Sequence, residues 1–397
     1  MSTVLLLQTT RERDAADDTA LMVAARELAP MRVVAATHDP ERTGRVTAVP
    51  TVAANRVAVL RMLPTVDALV VLGGRPFRGG PAGPAGGAAT EVLSLGALYG
   101  VTTAFRLAGK PVALVGVGAD RVSGRGAVLS RRAVHGSALT TLDAPTSVRH
   151  LTDAGLPTPL RLGAHLGWLD LQDPPTERPG AGPIWSCVRA RDVAVLGGAD
   201  GLADLLASVV AATRARFPEP SGVVLQAWRP GLGAGADLDA AHEVAGRLRC
   251  RAEVGGIPVD VAAPQLSLRD QREVMAGALF AVCGHQHALM AAAAAGVPLL
   301  AWSRDPHDAD LAGRLEVPVL PASAGAAPVD AAVDAAVEAA IDRGGRTLAA
   351  VRQEVAAAGE VLDLLRLLLT QGETSVGPVR AAASDQLPGP RPTGVMR

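Results

Sequence analysis

The chain has 397 residues, 49% apolar, 2% aromatic and 19% charged, a length that suits about two or three domains. Its formal charge is −1, so the overall balance gives no electrostatic case for a duplex-binding surface or an anionic membrane. Of the 38 basic residues only Lys110 is a lysine, and 43 glycines and 29 prolines accompany them, so the arginines read as compositional bias and not as a nucleic-acid signature.

No stretch reaches the ~20 consecutive apolar residues of a membrane span. The longest candidate, Ala288 to Trp302, carries Gly296 and Pro298 and reads as helix, turn and strand. Val4–Leu7 is too short for a secretory signal, and no basic residue precedes it. Cys187, Cys250 and Cys283 match neither a disulfide framework nor a zinc spacing. Together these features predict a cytoplasmic, soluble protein.

Short apolar runs alternate with helical patterns from the start of the chain, which predicts βα units and parallel sheets. Strands are expected at Thr3–Gln8, Met31–Ala36, Ala68–Leu72, Pro111–Val117 and Ala138–Leu142, with helices at Asp17–Leu28, Ala88–Ala108, Gly126–His135 and Pro145–Ala154. The Pro/Gly-rich stretch that follows has no periodicity and reads as a linker. The alternation restarts with strands at Ile184–Val188, Gly222–Ala227, Pro258–Ala262, Leu279–Cys283 and Leu299–Trp302. Helices are expected at Leu202–Arg216, Leu238–Leu248, Ser267–Met275, His287–Ala295 and Ala309–Leu315, then two more at Val329–Ile341 and Arg346–Leu369.

The predicted class is α/β, with two doubly wound Rossmann-like domains facing across a cleft. The expected boundaries are an N-terminal domain over 1–175, a linker over 176–183, a second domain over 184–345, a C-terminal helix over 346–370 and a disordered tail over 371–397. In such folds ligands sit at the carboxyl ends of the strands, often between domains.

Five features fall at predicted strand ends. Gly73-Gly74 follows a buried strand, where glycines let backbone approach a ligand. Cys283-Gly284-His285-Gln286-His287 joins a strand to a helix; His285 and His287 suit a proton donor or an anion contact better than a metal pair, since no third ligand stands at a recognised spacing. Ser303, Arg304, Asp305 and His307 follow the next strand, and parallel neighbours bring that loop beside His287. Arg189 ends the first strand of the second domain, where a guanidinium suits a carboxylate or phosphate. Asp143 and Ser147 follow a strand of the first domain and read as the cap and first turn of a helix. Each has a plainer structural reading as a cap, turn or core residue. No Walker loop, dinucleotide fingerprint or nucleophile elbow is present.

The order of these features resembles the polysaccharide pyruvyl transferase family from about Asp17 to Pro318. Asp17-Asp18 stand at the first helix, and Gly73-Gly74-Arg75 at the glycine-rich strand end. Gly109-Lys110-Pro111-Val112 leads to Gly116-Val117-Gly118, then Asp143, Ser147, Leu151 and Gly155 follow, with Leu142 in place of an arginine. His285-Gln286-His287-Ala288-Leu289, Gly296-Val297-Pro298 and Ser303-Arg304-Asp305-Pro306-His307 match the family's last segment, with its arginine, tyrosine and lysine replaced by His285, Arg304 and His307.

The resemblance implies a GT-B-like fold and transfer of a pyruvyl group from phosphoenolpyruvate, as co-substrate, to a cell-envelope sugar as a ketal. It implies His287 and Asp305 as catalytic residues. Gly73, Gly74, Asp143, Arg189, His285, Ser303, Arg304 and His307 would bind substrate, with His285 and His307 acting as cations when protonated. No metal or other cofactor is expected. The partners would be a small-molecule donor and a glycan or lipid-linked sugar acceptor, with no nucleic acid and with self-association left open. Two other readings are a catalytically weak relative acting as a binding module, and a GT-B glycosyltransferase using a nucleotide sugar.

Overall fold

The computed structural model describes residues 2–9, 15–78, 87–156, 160–172, 182–217, 220–228, 234–265, 267–303, 305–321 and 330–371. In chain order the first half runs β1 (Thr3–Gln8), α1 (Ala15–Glu27), β2 (Arg32–Thr37), α2 (Pro40–Thr47), β3 (Thr51–Ala53), α3 (Arg56–Met62) and β4 (Ala68–Leu72). It continues with α4 (Gly87–Leu107), β5 (Val112–Val117), α5 (Gly124–His135), β6 (Leu139–Leu142), α6 (Pro145–Asp153) and β7 (Arg161–Leu162), then a 3-10 turn at Leu166–Asp170. The second half runs β8 (Ile184–Val188), α7 (Ala190–Val195), α8 (Ala199–Arg214), β9 (Val223–Ala227), α9 (Ala234–Leu248) and β10 (Val259–Ala262). It closes with α10 (Leu268–Ala276), β11 (Phe280–Cys283), α11 (Gln286–Ala294), β12 (Leu299–Ser303), α12 (Pro306–Arg314), β13 (Val319–Pro321) and α13 (Asp330–Gln371).

The strands form two parallel sheets, ordered β3-β2-β1-β4-β5-β6-β7 and β10-β9-β8-β11-β12-β13. Each order reverses once, beside β1/β4 and beside β8/β11, and opens a crevice at the carboxyl ends there. The unbroken apolar runs follow from burial on both faces. In β1, Leu5 and Leu7 join the core that holds Phe105, while Val4 and Leu6 join the core that holds Leu21 and Leu362. One face of the first sheet therefore carries α3, α4 and α5, and the other carries α1 and the end of α13.

The expected pair of C-terminal helices is one helix of 42 residues, α13. Gly344 and Gly345 do not interrupt it. Each glycine costs about 1 kcal/mol against alanine, and burial at both ends of the helix offsets this. Val333, Val337 and Ala340 pack in the second domain's core, Val361, Leu362, Leu365 and Leu368 in the first domain's. At about 1.5 Å per residue the helix is about 60 Å long and ties the domains together. The linker expected over 176–183 lies mostly outside the described residues, as does the expected tail beyond Gln371. No helix among the described residues is long and apolar enough to cross a membrane.

Candidate interdomain site

The chain leaves β4 through Gly73 and Gly74, at φ +59° and +69°. Both lie in the left-handed region that favours glycine. Their backbone is engaged: Gly73 N–H donates to Val115 O at 2.9 Å, and Gly74 O accepts from Gly118 N–H at 2.7 Å. The turn carries the next residue, Arg75, to the cleft. Gly118 makes room for it, since a Cβ there would lie 2.7 Å from Arg75 Cγ and 2.9 Å from Asp143 Oδ2.

Across the cleft, β11 and β12 deliver the two histidine-bearing turns side by side. His285 caps α11, its Nδ1 accepting from His287 N–H at 3.2 Å. Asp305 caps α12 in the same way, with Oδ1 accepting from His307 N–H at 3.0 Å. Ser303 Oγ accepts from Asp305 N–H at 3.0 Å and donates to Asp308 Oδ2 at 2.8 Å. Asp308 Oδ1 accepts from Gln286 N–H at 3.1 Å. The helix termini at which a ligand anion was expected thus already hold His285, Asp305 and Asp308. Burial, then the neighbouring Asp305 charge, pushes the Asp308 carboxyl up to about 6.

A row of rings crosses the domain boundary here. Trp228 lies 5.6 Å from His285, His285 lies 4.8 Å from His287, and His287 lies 5.0 Å from His165 of the first domain, between ring centroids. His165 Nδ1 accepts from Gly167 N–H at 3.1 Å, which fixes the ring. Arg189 is buried at the end of β8 and its Nε donates to Asp192.

The setting of His285 opposes the protonated clamp expected there. Burial, followed by the charges of Arg189 and His287, lowers its pKa well below the ordinary 6.5, so the ring is neutral at neutral pH.

The remaining candidates form a second cluster in which the domains touch. Arg75 Nη1 donates to Asp305 Oδ2 at 2.5 Å. The His307 side chain is fully buried, with Nε2 3.4 Å from Asp120 Oδ1 and Nδ1 3.4 Å from Ser147 Oγ and 3.9 Å from Asp143 Oδ1. It faces two carboxylates. Asp143 Oδ1 accepts from Ser147 Oγ at 2.7 Å, while the α6 cap is Ala144 and not Asp143. Thr146 N–H donates to Asp310 Oδ2 at 2.5 Å, and Arg314 Nη1 to Asp143 O at 3.0 Å. Burial alone would raise the Asp305 and Asp120 carboxyls. For Asp305 the charge and hydrogen bond of Arg75 outweigh it, and for Asp120 the His307 hydrogen bond and then Arg75 do; both fall below the usual carboxylate range.

Arg304 lies outside the described residues. Asp120, His165, Trp228 and Asp308 join the site without having been singled out in the sequence, and Arg75 was named there only as part of the glycine-rich strand end. Trp228 follows a predicted strand end, its only signal, and His165 had none because the two-residue β7 was not predicted. Among the described residues no group of three His, Cys, Asp or Glu side chains is placed to hold a metal ion.

No family model and no curated protein matches the chain. Solved structures do. A UDP-GlcNAc 2-epimerase from Neisseria meningitidis, bound to UDP-GlcNAc, superposes with TM-score 0.56 and 11% identity, covering 94% of this chain and 100% of its own. Trehalose-6-phosphate synthase gives 0.58 and 10%, over 94% and 99%. An Anabaena protein in complex with UDP and glucose gives 0.57 and 12%, over 93% and 100%. Identity this low makes the likeness one of fold: two parallel α/β domains in the GT-B arrangement.

Proposed function

We propose that the chain is a sugar-handling GT-B enzyme that takes a nucleotide sugar into the cleft between its domains. The observation that carries this reading is the charge economy of the cleft. Arg75 and Arg189 are both already engaged with carboxylates, and His285 is neutral. Asp120, Asp143, Asp192 and Asp305 supply acceptors, and Trp228 with the histidine row supplies ring faces. Acceptors and ring faces suit the hydroxyls and C–H faces of a sugar. The UDP and glucose found with the Anabaena protein make a nucleotide sugar the first candidate.

In this reading His287, buried at the first turn of α11, exchanges a proton with the sugar. Asp305 positions Arg75, and Arg75 and Arg189 meet the diphosphate by exchanging one carboxylate partner for it. Gly73, Gly74 and Ser303 shape the pocket wall. Pyruvyl transfer fits less well. Phosphoenolpyruvate is close to a trianion, and the helix termini suited to receive it hold Asp305 and Asp308.

The test is calorimetric titration of UDP-N-acetylglucosamine, UDP-glucose and phosphoenolpyruvate, each into the wild type and His287→Ala. Saturable heat from a UDP-sugar supports the proposal. Heat from phosphoenolpyruvate alone would overturn it in favour of pyruvyl transfer. Binding of a UDP-sugar with no turnover of it in the presence of sugar acceptors would reduce the chain to a binding module.

A further inference from the structure

The formal charge of −1 conceals a segregation. Residues 56–161 hold 12 basic against 5 acidic residues, a surplus of 7, while the rest of the chain holds 26 basic against 34 acidic. Arg75, Arg78 and Arg149 of this segment pair with carboxylates in or beside the cleft, and Arg56, Arg61, Arg106, Arg125, Arg131 and Arg132 lie on the helices that cover one face of the first sheet. Helices α3, α4, α5 and α6 contact one another in sequence along the first domain. Arg56 lies over Gly100 of α4, Arg106 reaches Gly136 at the end of α5, and Arg131 reaches Gly155 after α6.

Arg56, Arg61, Arg106, Arg125 and Arg132 are exposed, and none has an ion-pair partner among the described residues. Of the five acidic residues, Asp120 and Asp143 belong to the cleft network, and Asp67 accepts from Thr3 N–H at 2.7 Å.

Aliphatic side chains stand among these arginines. Val57 on α3 is 58% exposed, Leu107 at the end of α4 is 79% and Val128 on α5 is 36%. They are half of the large apolar side chains exposed among the described residues. On α5, Arg125, Val128 and Arg132 are spaced i, i+3 and i+7, so charge and apolar group share one outward stripe. Arg121 carries the charge to the turn after β5, at the cleft end of the sheet.

We propose that this face docks the protein onto an anionic membrane surface, with the arginines at acidic phospholipid headgroups and Val57, Leu107 and Val128 in the interfacial layer. Charge complementarity selects the occupant: unpaired arginines seek phosphate, and each near such a surface strengthens binding by about fivefold. The interleaved aliphatics select lipid over nucleic acid: a duplex backbone offers an exposed aliphatic side chain no apolar layer, and a single strand would call for aromatic stacking platforms. The only tyrosine, Tyr99, is not among the exposed large apolar side chains. The proposal revises the expectation, drawn from net charge alone, that no surface suits an anionic membrane. It does not depend on what the cleft binds.

The test is co-sedimentation of the full chain with vesicles of phosphatidylcholine, with and without phosphatidylglycerol. Binding is expected only to the mixed vesicles, and is expected to weaken as salt rises. The variant Arg125→Glu/Arg132→Glu should bind at least 25-fold more weakly at an unchanged melting temperature, since both side chains are exposed; Leu107→Ser should lose binding more mildly. Absence of binding to the mixed vesicles, or binding that persists in the charge-reversed variant, would overturn the proposal. So would tight retention by an oligonucleotide without retention by vesicles, which would assign the face to nucleic acid. UDP-sugar titration of the charge-reversed variant separates this test from the cleft, whose affinity should not change.

Discussion

Arg75 of the first domain donates to Asp305 of the second at 2.5 Å, and the same Asp305 caps α12 beside Asp308. One ion pair therefore joins the domains, fixes the head of a helix and sets the charge felt by the carboxyl next to it. Their side chains are 18% and 26% exposed, so screening is partial. A double-mutant cycle with Arg75→Ala and Asp305→Ala should give a coupling of about 1–2 kcal/mol in chemical denaturation. Small-angle scattering should show a larger radius of gyration for either variant. Additive effects with unchanged dimensions would contradict a domain-joining role.

Asp308 predicts an unusual pH response. Its folded-state pKa of about 6 lies above the unfolded value of ~3.9, so the folded chain binds more protons between them. The contribution is present below pH ~4 and is lost as pH rises through about 6. About 2 units correspond to about 3 kcal/mol. Urea midpoints of the wild type relative to Asp308→Asn should therefore fall from about pH 4 to about pH 7. A constant difference would contradict the raised carboxyl.

His285 acts in the opposite sense. Its folded pKa lies well below 6.5, so the unfolded chain takes up a proton that the folded chain refuses. Stability is lost through this residue as pH falls below ~6.5. In an NMR titration the ring should stay neutral at about pH 6, with Nδ1 accepting from His287 N–H and the proton on Nε2. Titration near 6.5 would contradict the burial argument. It would also restore the clamp expected from the sequence.

Gly118→Ala would place a methyl group against Arg75 and Asp143 at once. Neither neighbour moves freely, because each also contacts the second domain. A loss of about 1–3 kcal/mol is expected in thermal unfolding. Wild-type stability in the variant would show that the two side chains can part.

The sheets were legible because burial on both faces writes continuous apolar runs, such as Val4–Leu7 and Ala68–Leu72. The adjacency of His287 and the Ser303–His307 turn was legible too, because β11 and β12 are parallel neighbours. What could not be read were relationships across the domain boundary. Arg75 and Asp305 are 230 residues apart in the chain, and nothing local to either points to the other. The cap that Asp305 gives α12 matches the plainer reading of its turn, whereas the reach of Asp308 to Gln286 N–H depends on the folded pair of turns. Short elements such as β3, α3 and α7 carry too few residues for a period to show. Gly344-Gly345 reads as a break, yet packing on both domains carries α13 through it.

Hydrogen exchange of the wild type with and without a saturating UDP-sugar probes both walls of the cleft at once. New protection is expected on both sides, at residues 73–75 of the first domain and at 189–192 and 284–289 of the second. Protection confined to one domain, or none with millimolar UDP-sugar, would contradict an interdomain sugar-nucleotide site.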